Sequence, residues 1–314
     1  MKSKVVLLRC PDYDGEKIKE ELRWGMAQLG GVESFFSREE KILLKPNLLR
    51  KAAPESAVVT HPAVVSAMAE LLLEAGCRKL SYGDSVGVGS MEKIAEGCGL
   101  ADAMKELAIP MADFNACVRT EYPEGKMARR FHMAKAVTEA DALLNLSKMK
   151  THQLERMTGA VKNMYGCIQG LHKAKGHTRY SNAESFARML VDLNRYVRPR
   201  LYVMDGITAM EGNGPASGNP VAMGVMLISA DPVALDSVCC SLMHLKPDLV
   251  PTNVQGAKMG LGVWKDDAID VITREGILSP LQAGERYGKA DFDVERGKKV
   301  RRLWRQIRWI SRHF

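Results

Sequence analysis

The chain has 314 residues, 46% of them hydrophobic and 26% charged, a balance that excludes disordered and fibrous classes and allows a substantial core. Its formal charge is +8, but residues 297–314 carry seven Lys or Arg and no acid, which leaves the body with 8 − 7 = +1. A basic excess confined to one end argues against nucleic-acid binding by the body, and no segment approaches the ~20 apolar residues that span a bilayer.

Seven scattered cysteines (Cys10, Cys77, Cys98, Cys117, Cys167, Cys239, Cys240) form no C-x-x-C pair, so no zinc-ribbon or ferredoxin-type motif is present. Their odd number and an N-terminus without an export pattern predict free thiols in a reducing cytoplasm.

In chain order, KVVLLR (residues 4–9) predicts a buried strand and residues 15–29 a helix. KILL (41–44) predicts a second strand, stopped by Lys45-Pro46-Asn47 because proline cannot extend the ladder. Lys45 and Asn47 then lie at the strand's C-terminal end. Thr60-His61-Pro62 opens a helix over 63–75, with Thr60 or His61 as cap and Pro62 in the first turn. A strand at 79–82 leads into Gly83-Asp84-Ser85 and a glycine-rich loop, then a helix from Met91. The loop matches neither a P-loop nor G-x-G-x-x-G, but it sets Asp84 at a strand end. Two short strands, 117–121 and 130–136, fall in an irregular region, about 111–137, that reads as an insertion or a small inserted subdomain.

The stretch from Asn145 to His177 carries most of the chemistry. It holds three of the seven histidines, five lysines and four glycines, and one acid, Glu155. ALLNL (142–146) predicts a strand and residues 154–165 a helix, which places Lys148, Lys150, Thr151 and His152 on the loop between them, with Thr151 as N-cap. Strand ends and helix N-termini of open α/β sheets favour anions. Further on, a helix at 183–196 and a strand at 200–204 end in Asp205-Gly206. Residues 210–220, which include Glu211, predict a polar site loop. A strand at 225–229, a helix 233–242 opened by Asp231-Pro232, a helix at 253–259 and a strand at 269–273 complete the body.

The alternation of strands and helices predicts an α/β fold, a mainly parallel sheet with helices on both faces and a site at the strand C-termini. We expect a body over 1–296 and a basic amphipathic tail over 297–314. In that tail, apolar residues recur at steps of three and four, with a docking role preferred over membrane contact.

The segments Leu44-Lys45-Pro46-Asn47, Thr60-His61-Pro62, Gly83-Asp84-Ser85, Lys148-Met149-Lys150-Thr151-His152, Thr158-Gly159-Ala160-Val161-Lys162-Asn163, Gly166-Cys167 and Met210-Glu211-Gly212-Asn213-Gly214-Pro215 together resemble the family catalogued as domain of unknown function 362. Many of its members carry a C-terminal ferredoxin module. The resemblance implies an association with ferredoxin-type electron transfer, with any 4Fe-4S cluster on a downstream module or a partner. The stretch is more loosely similar to the lactate racemase family, whose nickel-pincer nucleotide is tethered to a lysine. That likeness implies Lys162 as the tether, with His152 ten residues before it and His177 fifteen after.

The expected function is an enzyme acting on a small anionic metabolite bearing a carboxylate or phosphate. Lys45, Lys148 and Lys150 would hold the anion, with Asn47, Thr151, Asn163 and Glu211 around it. His152 or His177 would serve as acid or base beside Lys162 and Asp84. His152, His177 and Asp205 form a candidate metal set. The alternatives are racemase-like proton or hydride transfer with a metal cofactor on Lys162, and a non-catalytic metabolite-binding or scaffold protein.

Overall fold

The computed structural model describes residues 2–86 and 89–294; the basic tail lies outside them. The elements in order are β1 (Ser3–Arg9), α1 (Gly15–Gln28), β2 (Lys41–Pro46), α2 (Pro62–Glu74), β3 (Lys79–Tyr82), α3 (Met91–Gly97) and α4 (Leu100–Glu106). Then come β4 (Cys117–Glu121), β5 (Arg130–Ala134), α5 (Lys135–Glu139), β6 (Ala142–His152), β7 (Arg156–Thr158), α6 (Ala160–Asn163), α7 (Gly170–Arg179) and α8 (Ala183–Val197). The last are β8 (Leu201–Glu211), β9 (Asn219–Ser229), α9 (Pro232–Leu242), α10 (Pro251–Lys258), β10 (Ile269–Thr273), β11 (Gly276–Leu278) and α11 (Pro280–Tyr287).

The main sheet runs β11-β10-β1-β9-β8-β6-β2-β3, and β7 folds back on the end of β6. The pairs β10–β1, β8–β6, β6–β2 and β2–β3 are parallel. Because β9 is antiparallel to both β1 and β8, those two also share a direction. The sheet is therefore mostly parallel, with β7, β9 and β11 reversed, and the fold is α/β as expected. Alternate residues of β1 separate into two cores. Val6 and Leu8 pack with Ile18 and Leu22 of α1 and Val64 and Met68 of α2. Val5 and Leu7 pack with Ala234, Leu235 and Val238 of α9 on the other face. Helices thus cover both faces, which is what a central parallel sheet needs.

Two local expectations are corrected. The strand expected at 142–146 continues to His152, and the helix expected over 154–165 is absent. Residues 150–152 pair instead with 156–158 in a tight hairpin, and the helical part is a short α-helix, Ala160–Asn163, continued by a 3-10 turn over Met164–Cys167. Leu154, Met157, Val161 and Met164 recur at helical steps, but the burial of β6 between β8 and β7 decides the local structure. Lys148, Lys150 and Thr151 are thus buried strand residues, not loop residues, and Thr151 caps no helix. Likewise β8 and β9 extend far into the loop expected at 210–220, leaving 212–218 between them. Elsewhere the caps fall as read: His61 Nδ1 accepts from Ala63 N (3.2 Å), and the Asp231 carboxylate accepts from Val233 and Ala234 N (both 2.9 Å).

β4 and β5 form a separate antiparallel pair. A single bridge, Met133 to Ile168, joins it to the segment before α7. Its base is pinned by Asp192 of α8, whose carboxylate accepts from the backbone N–H groups of Lys126 (3.0 Å), Met127 (2.6 Å) and Ala128 (2.8 Å). Removing a buried acceptor orphans these donors. Asp192→Ala is expected to cost about 2–4 kcal/mol in denaturant unfolding; a loss under about 0.5 kcal/mol would show that water replaces the carboxylate.

Candidate active site

Four segments converge beyond the C-terminal ends of β2, β3 and β6. β2 delivers Lys45 and Asn47, and the turn after β3 delivers Asp84. The end of β6 delivers Lys150 and His152. The run from β7 through α7 delivers Thr158, Lys162, Asn163, Lys173 and His177. All of these except Lys45 line a cavity of about 220 Å³, together with Leu48 and Pro215.

The floor is a buried polar network. Lys45 Nζ lies 2.9 Å from Asp84 Oδ1, and Asp84 Oδ2 accepts from Leu48 N (2.8 Å). Asn163 accepts from Asn47 Nδ2 (3.1 Å) and donates to Asn145 Oδ1 (2.7 Å), and Asn145 Nδ2 donates to Ala160 O (2.9 Å). Gly166 is required here, because a Cβ would overlap the Asp84 carboxylate and come within 2.6 Å of Lys45 Nζ.

The amines around the cavity differ in their partners. Lys150 Nζ donates to Val58 O (2.7 Å) and Lys173 Nζ to Ser85 O (2.6 Å). Burial, then the charges of Lys162 and Lys148, push Lys150 well below the usual lysine range. Burial also lowers Lys173. Lys162 Nζ has no hydrogen bond or ion pair among the described residues, and its pKa is lowered to about 8 by burial and by Lys173, against the pull of Glu155.

His152 Nδ1 accepts from Leu154 N (3.1 Å) and Glu155 N (3.2 Å). Burial, then Lys162, His177 and Lys150, hold it far below the usual histidine range. A neutral imidazole that accepts at Nδ1 carries its proton on Nε2. His152 is therefore a donor toward a ligand rather than a base. His177 keeps an exposed edge, stacks on Phe186 (4.7 Å) and meets Tyr165 edge-on (5.2 Å). Desolvation, then Lys162 and Lys173, lower it to about 4.

Three buried polar atoms on residues lining the cavity lack hydrogen-bond partners: Asn47 Oδ1, Asp84 Oδ1 and Thr158 Oγ1. The contact between Asp84 Oδ1 and Lys45 is an ion pair without hydrogen-bond directionality. Orphaned buried polar atoms are uncommon and call for an explanation.

Other expected site residues lie elsewhere. Lys148 and Asp205 form a buried pair (2.7 Å) that Tyr13 OH joins at 2.9 and 3.0 Å, while His61 N donates to Asp205 Oδ2 (2.9 Å). Asp205 is thus engaged apart from His152 and His177, and no three metal-ligating side chains converge among the described residues. Thr151 Oγ1 donates to Gly212 O (3.0 Å) and accepts from Gly214 N (3.2 Å), which positions the loop bearing Pro215. Glu211 accepts from Asp293 N (3.1 Å), outside the cavity.

Sequence reasoning did not single out Lys173 or Asp236. Asp236, on α9, accepts from Ala160 N (2.6 Å) and Val161 N (3.1 Å), so it caps the short helix bearing Lys162. Burial raises it to about 7 against those two bonds. Its signal was an acid within the apolar run VALDSVCCSL, since an Asp inside a buried helix needs a partner.

An α/β sheet with an amine-lined cavity at its strand ends defines the class. Residues 42–241 match the family described as Domain of unknown function (DUF362), and the chain belongs to that family. It is 35% identical over 262 residues to a thylakoid-associated protein of Synechocystis sp., a match covering 83% of this chain and 81% of that protein. Its fold is similar to that of the lactate racemase apoprotein from Thermoanaerobacterium thermosaccharolyticum, with a TM-score of 0.50 and 9% identity, over 77% of this chain and 57% of the racemase. The chain thus spans little more than half of the racemase's length, and the likeness is one of fold. Among the described residues, no helix is long and apolar enough to cross a membrane.

The folded pKa of Lys162 is depressed below 10.5, so its contribution to stability is full above 10.5 and is lost as pH falls through about 8. Lys162→Met should therefore stabilise the unliganded protein at pH 7 by on the order of 1–3 kcal/mol in denaturant unfolding, with the gain vanishing above about pH 10. A destabilised variant at pH 7 would show that the amine has a partner.

Proposed function

We propose that this chain is an enzyme acting on a small anionic metabolite, a carboxylate or phosphate ester that also bears a hydroxyl. The observation that carries this is the unpaired Lys162 amine facing the same cavity as the three orphaned polar atoms. Lys162, Lys150 and the His152 Nε2–H offer donors to an anion. Asp84 Oδ1 and Asn47 Oδ1 offer acceptors to a hydroxyl. A pKa of about 8 leaves part of the Lys162 population as free amine near neutral pH, able to take a proton from the bound ligand. His152 would polarise the oxygen on which charge develops, and His177, on the exposed side, would exchange protons with solvent.

A second reading, that Lys162 carries a tethered metal-containing cofactor, is favoured by the same free amine and by two histidines held neutral, the form that ligates metals. Lys162 would hold the tether and His177 a metal bond, and the group would supply hydride transfer. The three-residue metal set with Asp205 is not part of this reading. Electron supply by a ferredoxin-type partner, implied by the family resemblance, would have to come from outside this chain's seven free cysteines. Intact mass separates the readings, since added mass on the Lys162 peptide supports the tether.

Binding an anion should return Lys162 toward its ordinary pKa, so binding near pH 8 should be accompanied by proton uptake. Calorimetric titration with inorganic phosphate and with a panel of hydroxy acids, in buffers of differing ionisation enthalpy, measures this. Lys162→Met should weaken binding by about tenfold or more. Ligand affinity unchanged in Lys162→Met would sink the proposal, and binding without turnover of any panel member would favour a non-catalytic binding protein.

A further inference from the structure

A second cleft, of about 170 Å³, lies on the other side of Tyr165, between the β4–β5 pair and α7. Its walls are flat. His132 of β5 and His172 of α7 stack at 3.8 Å with an angle of 3° between their rings, and Tyr165 and Tyr180 also line it. Its rim is cationic, with Arg130 from β5 and Lys175 and Arg179 from α7, and no carboxylate among the lining residues. None of these three cations has a side-chain hydrogen bond or ion pair among the described residues; Arg179 lies over the Tyr180 ring, 5.6 Å from its centroid. The two sides come from parts of the chain about 40 residues apart, joined by the Met133–Ile168 bridge and by Gln169 N donating to His132 O (2.9 Å). The cleft is therefore a seam between two units, a usual place for a ligand.

We propose that this cleft is a binding site for a nucleoside phosphate, its ring against the aromatic faces and its phosphate between Arg130, Lys175 and Arg179. Guanidinium groups suit phosphate because their donors match its oxygens in pairs, and flat aromatic faces suit a base without demanding a particular one. Tyr165 makes the cleft the neighbour of the Lys162 cavity: it lines both, and its hydroxyl donates to Lys173 O (2.7 Å). A ligand in the cleft would fix α7, and with it Lys173 and His177. The site does not depend on the reading of the Lys162 cavity and stands if that cavity binds nothing.

The test is calorimetric titration of the full chain with ADP, with adenosine and with inorganic phosphate. ADP should bind about tenfold or more tighter than either part. Arg130→Gln and Arg179→Gln, both on exposed side chains, should each weaken ADP about fivefold or more, with the melting temperature unchanged. Lys162→Met should leave ADP affinity within about twofold. No ADP binding at millimolar concentration would overturn the proposal. So would loss of ADP binding in Lys162→Met with none in the two arginine variants, since the nucleotide would then occupy the other cavity. Phosphate binding as tightly as ADP would overturn the assignment to a nucleoside.

Discussion

The ion pair between Lys45 and Asp84 is the constraint on which the site depends. Both side chains are buried, at the ends of adjacent parallel strands, and breaking the pair would leave a buried group without its partner. Two buried ions repay their desolvation only if their remaining donors and acceptors are satisfied. Lys45 therefore also donates to Pro46 O (3.1 Å), and Asp84 takes the backbone N–H of Leu48. The pair ties the loop after β2 to the loop after β3, and those two loops form one wall of the cavity. It also dictates what may approach it. The backbone at residue 166 passes so close that only glycine fits, so the chain from Lys162 to Lys173 is drawn against the pair.

The short helix bearing Lys162 shows the same logic at its other end. Four residues are too few to be stable on propensity, and the helix is held by its caps and its packing. Asp236 accepts its first N–H groups from below, while Asn145 takes the carbonyl of Ala160. A carboxylate from α9 and an amide from β6 thus fix the direction in which Lys162 points. The sheet core carries the site in a literal sense, since both residues sit inside it.

Much of this was legible in the sequence. The strand ends at Lys45 and Asp84, the cap at His61, the short strands around residues 117–134 and the dense basic stretch all follow from local rules of proline, glycine and alternation. Clustering predicts Lys148, Lys150, His152, Lys162 and His177 around one pocket; four of them line it, and Lys148 is instead paired with Asp205. The route was not legible. Residues 154–165 carry a helical apolar period because Met157, Val161 and Met164 each face a core, but they face it from a strand and a helix in turn. A period of three or four residues cannot distinguish one helix from a hairpin followed by a helical turn. Asp236, 74 residues beyond Lys162, is a tertiary partner, and no local pattern pairs it with α6.

Lys148 and Lys162 show why residue type alone does not assign a role. Both are lysines of the same basic stretch, and burial lowers the pKa of both. Lys148 is answered by Asp205 at 2.7 Å and by the Tyr13 hydroxyl at 2.9 Å, and Tyr13 is itself stacked on His61 at 3.6 Å. That cluster closes on itself. It joins α1, α2, β6 and β8, and its donors and acceptors meet one another, so its physical work is to hold the strand ends in register. Among the described residues no side chain hydrogen-bonds or ion-pairs with Lys162; Lys173 and Lys45 oppose its charge, and Glu155 and Asp84 favour it without touching it. An amine left in that state is unfavourable in the folded protein. The same lack of a partner leaves its lone pair and its proton available to whatever enters the cavity. The difference between these two lysines therefore lies in which of them the fold has given a carboxylate in direct contact.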